Sequence, residues 1–199
     1  MADEPAYVHA FKDFTRGDLT SNDLPKLETE IYDANDRASA VILGSIVEST
    51  LTTFLSRKLR QDLNRVQRKR LFDYEGPLGT FSAKIILTYA MQLIGPVTQH
   101  DLDLIRTLRN GFAHSRRYID FDTPQVAEVC KHLRYPDLPD AFMQFTSLKR
   151  ALAESNTELT NPRTRYRVTC HTISSRLIKN VSKLQRVGPA GMEPPPLLP

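Results

Sequence analysis

The chain has 199 residues, 40% hydrophobic and 25% charged, with a net charge of +4; this suits one soluble domain with a real core and a tail. No run approaches the roughly 18 unbroken apolar residues that span a bilayer. The two cysteines sit in no CxxC or Cys/His cluster, the five histidines show no HExxH spacing, and there is no GxxxxGK[ST], GxGxxG or GxSxG, so zinc, nucleotide and α/β-hydrolase chemistry have no support and no metal or cofactor is expected.

Residues 1–24 are polar with scattered aromatics, and the start, "MADEPAYVHAFKDF", is acidic without an apolar h-region. No secretory signal and a cytoplasmic location are therefore expected, with Cys130 and Cys170 reduced and buried. In "DRASAVILGSIVESTLTTFLSRKLRQDL", Leu43, Val47, Leu51, Phe54 and Leu55 recur at helical spacing. The segment predicts a long helix at the centre of a bundle. "RKLRQDLNRVQRKR" (57–70) carries seven basic residues and one acid. Within it Arg68, Lys69 and Arg70 are candidate phosphate contacts, set against a plain solvated helix face.

"YEGPLGT" (74–80) reads as a loop, and "FSAKIILTYAMQLI" as a helix stopped by Gly95-Pro96. On it Lys84 is expected at a solvated edge, and Phe81, Tyr89 and the later Phe112 in the core. The next helix is expected to begin at Thr98, with Thr98 and Asp101 forming a capping box. Leu102, Ile105, Leu108 and Phe112 make its apolar stripe. "RYIDFDTP" is a break with room for a short extended piece, where Asp120 and Asp122 cap or pair with Arg116 and Arg117. Thr123 is a good N-cap and Pro124 a good first helical residue. "RYPDLP" (134–139) breaks the chain again, and 139–154 is expected as a short helix. A last helix follows, with Ile173, Leu177, Val181 and Leu184 in register. From Arg163 to Arg186 it carries seven Lys/Arg and no acid. Residues 187–199, "VGPAGMEPPPLLP", read as a loose Pro/Gly-rich tail. The reading is all-α: one domain over 25–186, a bundle of five to seven helices.

The stretch "RTLRNGFAHS" (106–115) holds the candidate chemistry. Histidine titrates near neutral pH and serves as base or acid, and arginine offers a fork of donors to phosphate. Metal-free RNA cleavage needs both kinds of group. On an ideal helix Asn110 and His114 share a face, whereas Arg109 and His114 point about 140° apart. Arg109 converges with His114 only through its length, a helix end after Gly111, or a dimer. The alternatives are a bundle ion pair for Arg109 with His114 and Ser115 at a helix end, or a non-catalytic nucleic-acid or ligand site.

"DRASAVILGSIVESTL", "LFDYEGPLGTFSAKIILTYAMQLIGP", "DLDLIRTLRNGFAHS" and "IDFDTPQVAEVCKHL" resemble the mannitol operon repressor (MltR-like) family over roughly residues 36–134. The resemblance implies an all-helical transcriptional regulator without a helix-turn-helix. The Arg-x4-His spacing also resembles the HEPN superfamily, whose active members are metal-independent endoribonucleases, often dimeric. By position this implies Arg109, Asn110 and His114 as catalytic residues, with Glu48 as an assisting acid, and a homodimer. The leading expectation is an MltR-like regulator that binds a protein or nucleic acid, with Arg68, Lys69, Arg70, Arg116 and Arg117 as weaker phosphate contacts. A HEPN-type nuclease and an interaction module with no nucleic-acid role are the alternatives, and no membrane contact is expected.

Overall fold

The computed structural model describes residues 5–15, 31, 34–60, 62–138 and 159–182. The chain divides into two compact units, Met1–Asn35 and Asp36–Pro199. The first holds helix α1 (Ala6–Thr15), which exposes Tyr7 and Phe11 one turn apart. The second holds α2 (Asp36–Lys58), α3 (Arg65–Phe72), α4 (Phe81–Ala90), α5 (Pro96–His114), α6 (Pro124–Lys131) and α7 (Pro162–Ser182), with a 3-10 turn at Tyr135–Asp137. The fold is all-helical, with seven α-helices and no strand among the described residues. The segment "RYIDF" is irregular and not extended pairing. The helix expected over 139–154, Leu184 and the tail lie outside the described residues.

Helix α2 packs on α7, α5 and α4. Its buried side is the expected one: Leu43, Val47, Leu51, Phe54 and Leu55, with Ser39, Ala40 and Gly44 beside them. Its length and hydropathy would suffice to cross a bilayer, but here that apolar surface lines a core. Helix α7 is the other centre. Tyr166, Val168, Thr169, Cys170, Thr172 and Ile173 are all buried, so it is enclosed on more than one side. Phe112, Phe121 and Tyr166 stack in series, with ring centroids 5.0 Å and 5.4 Å apart. The Tyr166 hydroxyl ends the series by donating to the Ala40 carbonyl of α2 at 2.9 Å. Cys130 and Cys170 are buried free thiols.

Gly44 sets how closely α2 and α5 cross. A Cβ there would lie 2.7 Å from Arg109 Cβ, 2.8 Å from Arg109 Cγ and 3.0 Å from Tyr166 Oη. Without a side chain at Gly44, the stem of Arg109 lies directly on α2 and the Tyr166 hydroxyl reaches the α2 backbone.

The cap expected at Thr98 is not there. Helix α5 starts at Pro96, with Gly95 as its N-cap, because Pro has no N–H and so suits a first helical turn whose N–H groups lack intrahelical partners. Thr98 and Asp101 are thereby free for other work. The Thr98 hydroxyl bonds the Tyr135 hydroxyl at 2.7 Å. Asp101 is fully buried and accepts the backbone N–H groups of Arg134 (3.0 Å) and Tyr135 (2.9 Å), fixing the 3-10 turn. Pro124 does open α6 after Thr123, but the Thr123 hydroxyl donates to Asp120 at 2.8 Å instead of capping the helix. That bond holds the Asp120 carboxyl below its ordinary range, so Asp120 is tied to Thr123 and not to Arg116 or Arg117.

Candidate functional site

The polar centre of the bundle lies where α2, α4 and α5 meet. Glu48 sits one turn beyond Gly44 on α2, facing the place where Arg109 crosses. It accepts Arg109 Nη2 on one carboxylate oxygen and Lys84 Nζ, at 2.9 Å, on the other. Arg109 Nη1 donates to the Asn110 side-chain oxygen at 2.9 Å. The side chains of Lys84, Glu48 and Arg109 are only 8%, 16% and 26% exposed. Two cations therefore share one carboxylate at the edge of the core. Such a cluster holds only while all three members are present, because a charge left without its partner in a dry site is costly.

Lys84 is thus not the solvated edge residue that its position on an apolar helix suggests. Its stem is buried and its ammonium turns inward to Glu48. Tyr89 departs in the other direction. It is 40% exposed while Phe81 and Phe112 are buried.

Of the four residues that the HEPN resemblance singles out, three are together: Glu48, Arg109 and Asn110. His114 stands apart. Helix α5 runs unbroken through Gly111 to His114 and ends on Ser115, whose N–H bonds the Gly111 carbonyl at 3.0 Å. The route to convergence through a helix end after Gly111 is closed, so Arg109 and His114 point about 140° apart on one helix. His114 is exposed, and among the described residues it makes no hydrogen bond or ion pair. The guanidinium fork faces Glu48 and Asn110, and a phosphate would have to compete with a carboxylate for it.

The cation at the C-terminal end of α5 comes from elsewhere. Arg37, in the first turn of α2, donates to the Ser115 carbonyl at 3.0 Å and to the Arg117 carbonyl at 2.8 Å. The Ser115 carbonyl, at the cap of α5, is one that the helix leaves without an intrahelical partner, and the Arg37 cation there suits the helix dipole. Its neighbour Asp36 accepts the Phe121 N–H at 2.8 Å and pairs with Arg163 at 3.1 Å. Nothing in the local sequence pattern marks either role.

The basic segments separate. Arg116 and Arg117 are exposed on the turn that Arg37 clips to the start of α2. Arg68, Lys69 and Arg70 lie on α3, which follows the other end of α2. They hang from opposite ends of a helix about 34 Å long. Helix α3 buries no residue, and an Asn64–Gln67 capping box starts it. Lys69 and Arg70 are exposed on it, while Arg68 is partly covered and donates to the Leu63 carbonyl at 3.2 Å.

Of the basic residues of α7, Arg165 is buried, Arg163, Arg167 and Arg176 are partly covered, and Lys179 is exposed. Arg165 is 7% exposed. Its guanidinium takes the carbonyls of Cys130 and Leu133 and both carboxylate oxygens of Asp137. The Arg165 hydrogen bond holds the Asp137 carboxyl below its usual range. Arg176 stacks over Tyr135 at 5.1 Å. A count of charges along this helix therefore overstates the positive surface it offers.

No family model matches the chain, and no curated protein matches it. Among solved structures it is similar to MtlR in the X-ray structure of the MtlR–HPr complex from Escherichia coli, with a TM-score of 0.55 and 18% identity over 79% of this chain and 97% of that one. At this identity the likeness is one of fold.

Proposed function

We propose that this chain is an MtlR-like regulator that works by binding another protein. The observation that carries the reading is the shared fold with a protein solved in complex with a protein, HPr. The polar centre supports it, since Arg109 is spent within the bundle on Glu48 and Asn110. Regulation of transcription then runs through the bound protein and not through a recognition helix laid in a DNA groove.

The test is calorimetric titration of the full chain with HPr. Saturable 1:1 heat that is weakly dependent on salt is the expected result. Absence of heat up to about 1 mM HPr, the weak end of measurable affinity, would sink HPr as the partner. The second reading rests on α3, whose exposed Lys69 and Arg70 lie on a helix that buries nothing. It predicts duplex DNA affinity that falls steeply with salt, with a log–log slope that shrinks by about one per basic residue removed.

A further inference from the structure

The buried carboxylate of Asp101 has a third partner besides the two backbone N–H groups of the 3-10 turn. Nδ1 of His100, its neighbour on α5, lies 2.9 Å from Asp101 Oδ1. Both carboxylate oxygens already accept backbone N–H groups, from Arg134 and Tyr135. The carboxylate is therefore the acceptor throughout, and Nδ1 carries the proton. The neutral ring then keeps its lone pair on Nε2, which has no hydrogen bond or ion pair among the described residues. The Asp101 side chain is 0% exposed and the His100 side chain 32%. Other rings are held less firmly. His114 is exposed without a partner, and His132 meets an exposed Glu128 at 3.5 Å.

We propose that His100 is a phosphoryl-acceptor site, with Nε2 as the nucleophile and Asp101 as the positioning residue. When Nε2 attacks, the ring becomes a cation, and Asp101 lies against the N–H that shares its charge. The backbone N–H groups keep that carboxylate from turning away to water. Arg134 favours a phosphoryl group over other electrophiles. Its N–H shares Asp101 Oδ1 with His100. Its side chain is exposed and, among the described residues, makes no ion pair, so its fork is available to phosphoryl oxygens on the neighbouring ring. One turn along α5, Asp103 is drawn to Arg106 at 3.5 Å. The donor is of the phosphoramidate or acyl-phosphate class. With a phosphoramidate, a bond forms from Nε2 to phosphorus, the P–N bond breaks, and ammonia leaves with its electron pair. Nδ1 keeps its proton, and nothing is oxidised or reduced. The inference is independent of whether HPr binds.

Phosphoramidate itself is the probe. The full chain at neutral pH is expected to gain one phosphoryl group by intact mass, mapped to His100 and identified as the Nε2 isomer by phosphorus NMR. His114 should react at least about tenfold more slowly, although it is the more exposed, which is the reverse of what access alone gives. His100→Gln should lose the label. Arg134→Ala should slow labelling of His100 without changing the isomer. Asp101→Asn should slow His100 towards the rate of His114, with His132 unchanged. If that variant fails to fold, the ratio of His100 to His114 in the wild type still decides. Label that appears first on His114 or His132, label on Nδ1 of His100, or no label on any histidine overturns the proposal. So does an undiminished rate at His100 in a folded Asp101→Asn.

Discussion

Two glycines of the bundle have opposite effects on packing. At Gly44 an added Cβ meets the stem of Arg109 and the hydroxyl of Tyr166, both held on neighbouring helices. Gly44→Ala forces α5 and α7 outward and should lower stability by about 1–3 kcal/mol. At Gly111 the same Cβ meets nothing within 4 Å, and the backbone is helical. Gly111→Ala should raise stability by about 0.5–1 kcal/mol, because the unfolded chain loses freedom at no steric cost. Urea unfolding of the two variants reads both signs in one experiment. Cys130 supplies a pH dependence. Burial pushes its thiol up to about 12, against a small opposing effect of Arg165, from an ordinary 9.0. The unfolded chain therefore releases this proton first as pH rises. The stabilisation is whole below pH 9 and is lost as pH climbs from 9 towards 12, at up to about 1.4 kcal/mol per pH unit. In Cys130→Ala the fall in urea midpoint above pH 9 should be shallower than in the wild type.

Between helices, two of the charged ties give stability predictions. Arg165 reaches from α7 to the C-terminal carbonyls of α6 and to Asp137. Arg165→Met leaves the Leu133 carbonyl without its donor, while the Cys130 carbonyl keeps the Leu133 N–H and the largely exposed Asp137 returns to water, and should cost about 1–3 kcal/mol. Arg165→Lys should recover less than half of that, since an ammonium cannot span several acceptors as the fork does. Glu48 joins α2 to α4 and α5 at once. Glu48→Ala leaves both Lys84 and Arg109 without a counter-charge and should cost about 3 kcal/mol. Lys84→Met in that background should restore part of the loss, because the buried ammonium is then gone. A denaturant midpoint for the double variant at or below that of Glu48→Ala would contradict this account of the cluster.

For the molecule as a catalyst, the geometry gives a direct expectation. A metal-free ribonuclease needs its cation and its base on one phosphate. In this chain the guanidinium of Arg109 faces Glu48 while His114 stands exposed at the end of the same helix. A mixed RNA pool in EDTA should stay intact with the wild type and with His114→Ala alike. Cleavage by the wild type that vanishes in the variant would return the site to chemistry, with a second molecule supplying the convergence that one helix denies.

The helical fold was legible because it rests on a local repeat. Leu43, Val47, Leu51, Phe54 and Leu55 announce their buried side through a period of 3.6 residues, and nothing distant is needed to read it. Caps were harder. Thr98 and Asp101 have the right spacing for a capping box, yet Tyr135 and the 3-10 turn, more than 30 residues away, claimed both side chains. The candidate site divides along the same line. That Arg109, Asn110 and His114 lie on one helix could be read from their spacing. That Glu48 faces Arg109 was suggested only by resemblance, and that Lys84 shares the same carboxylate was not foreseen. These partners lie 61 and 36 residues from Glu48. Their meeting depends on how closely α2 and α5 cross, which the missing side chain of Gly44 permits. Periodicity specifies which face of a helix goes inward, whereas the partner of a buried charge is chosen by the packing of helices distant in sequence.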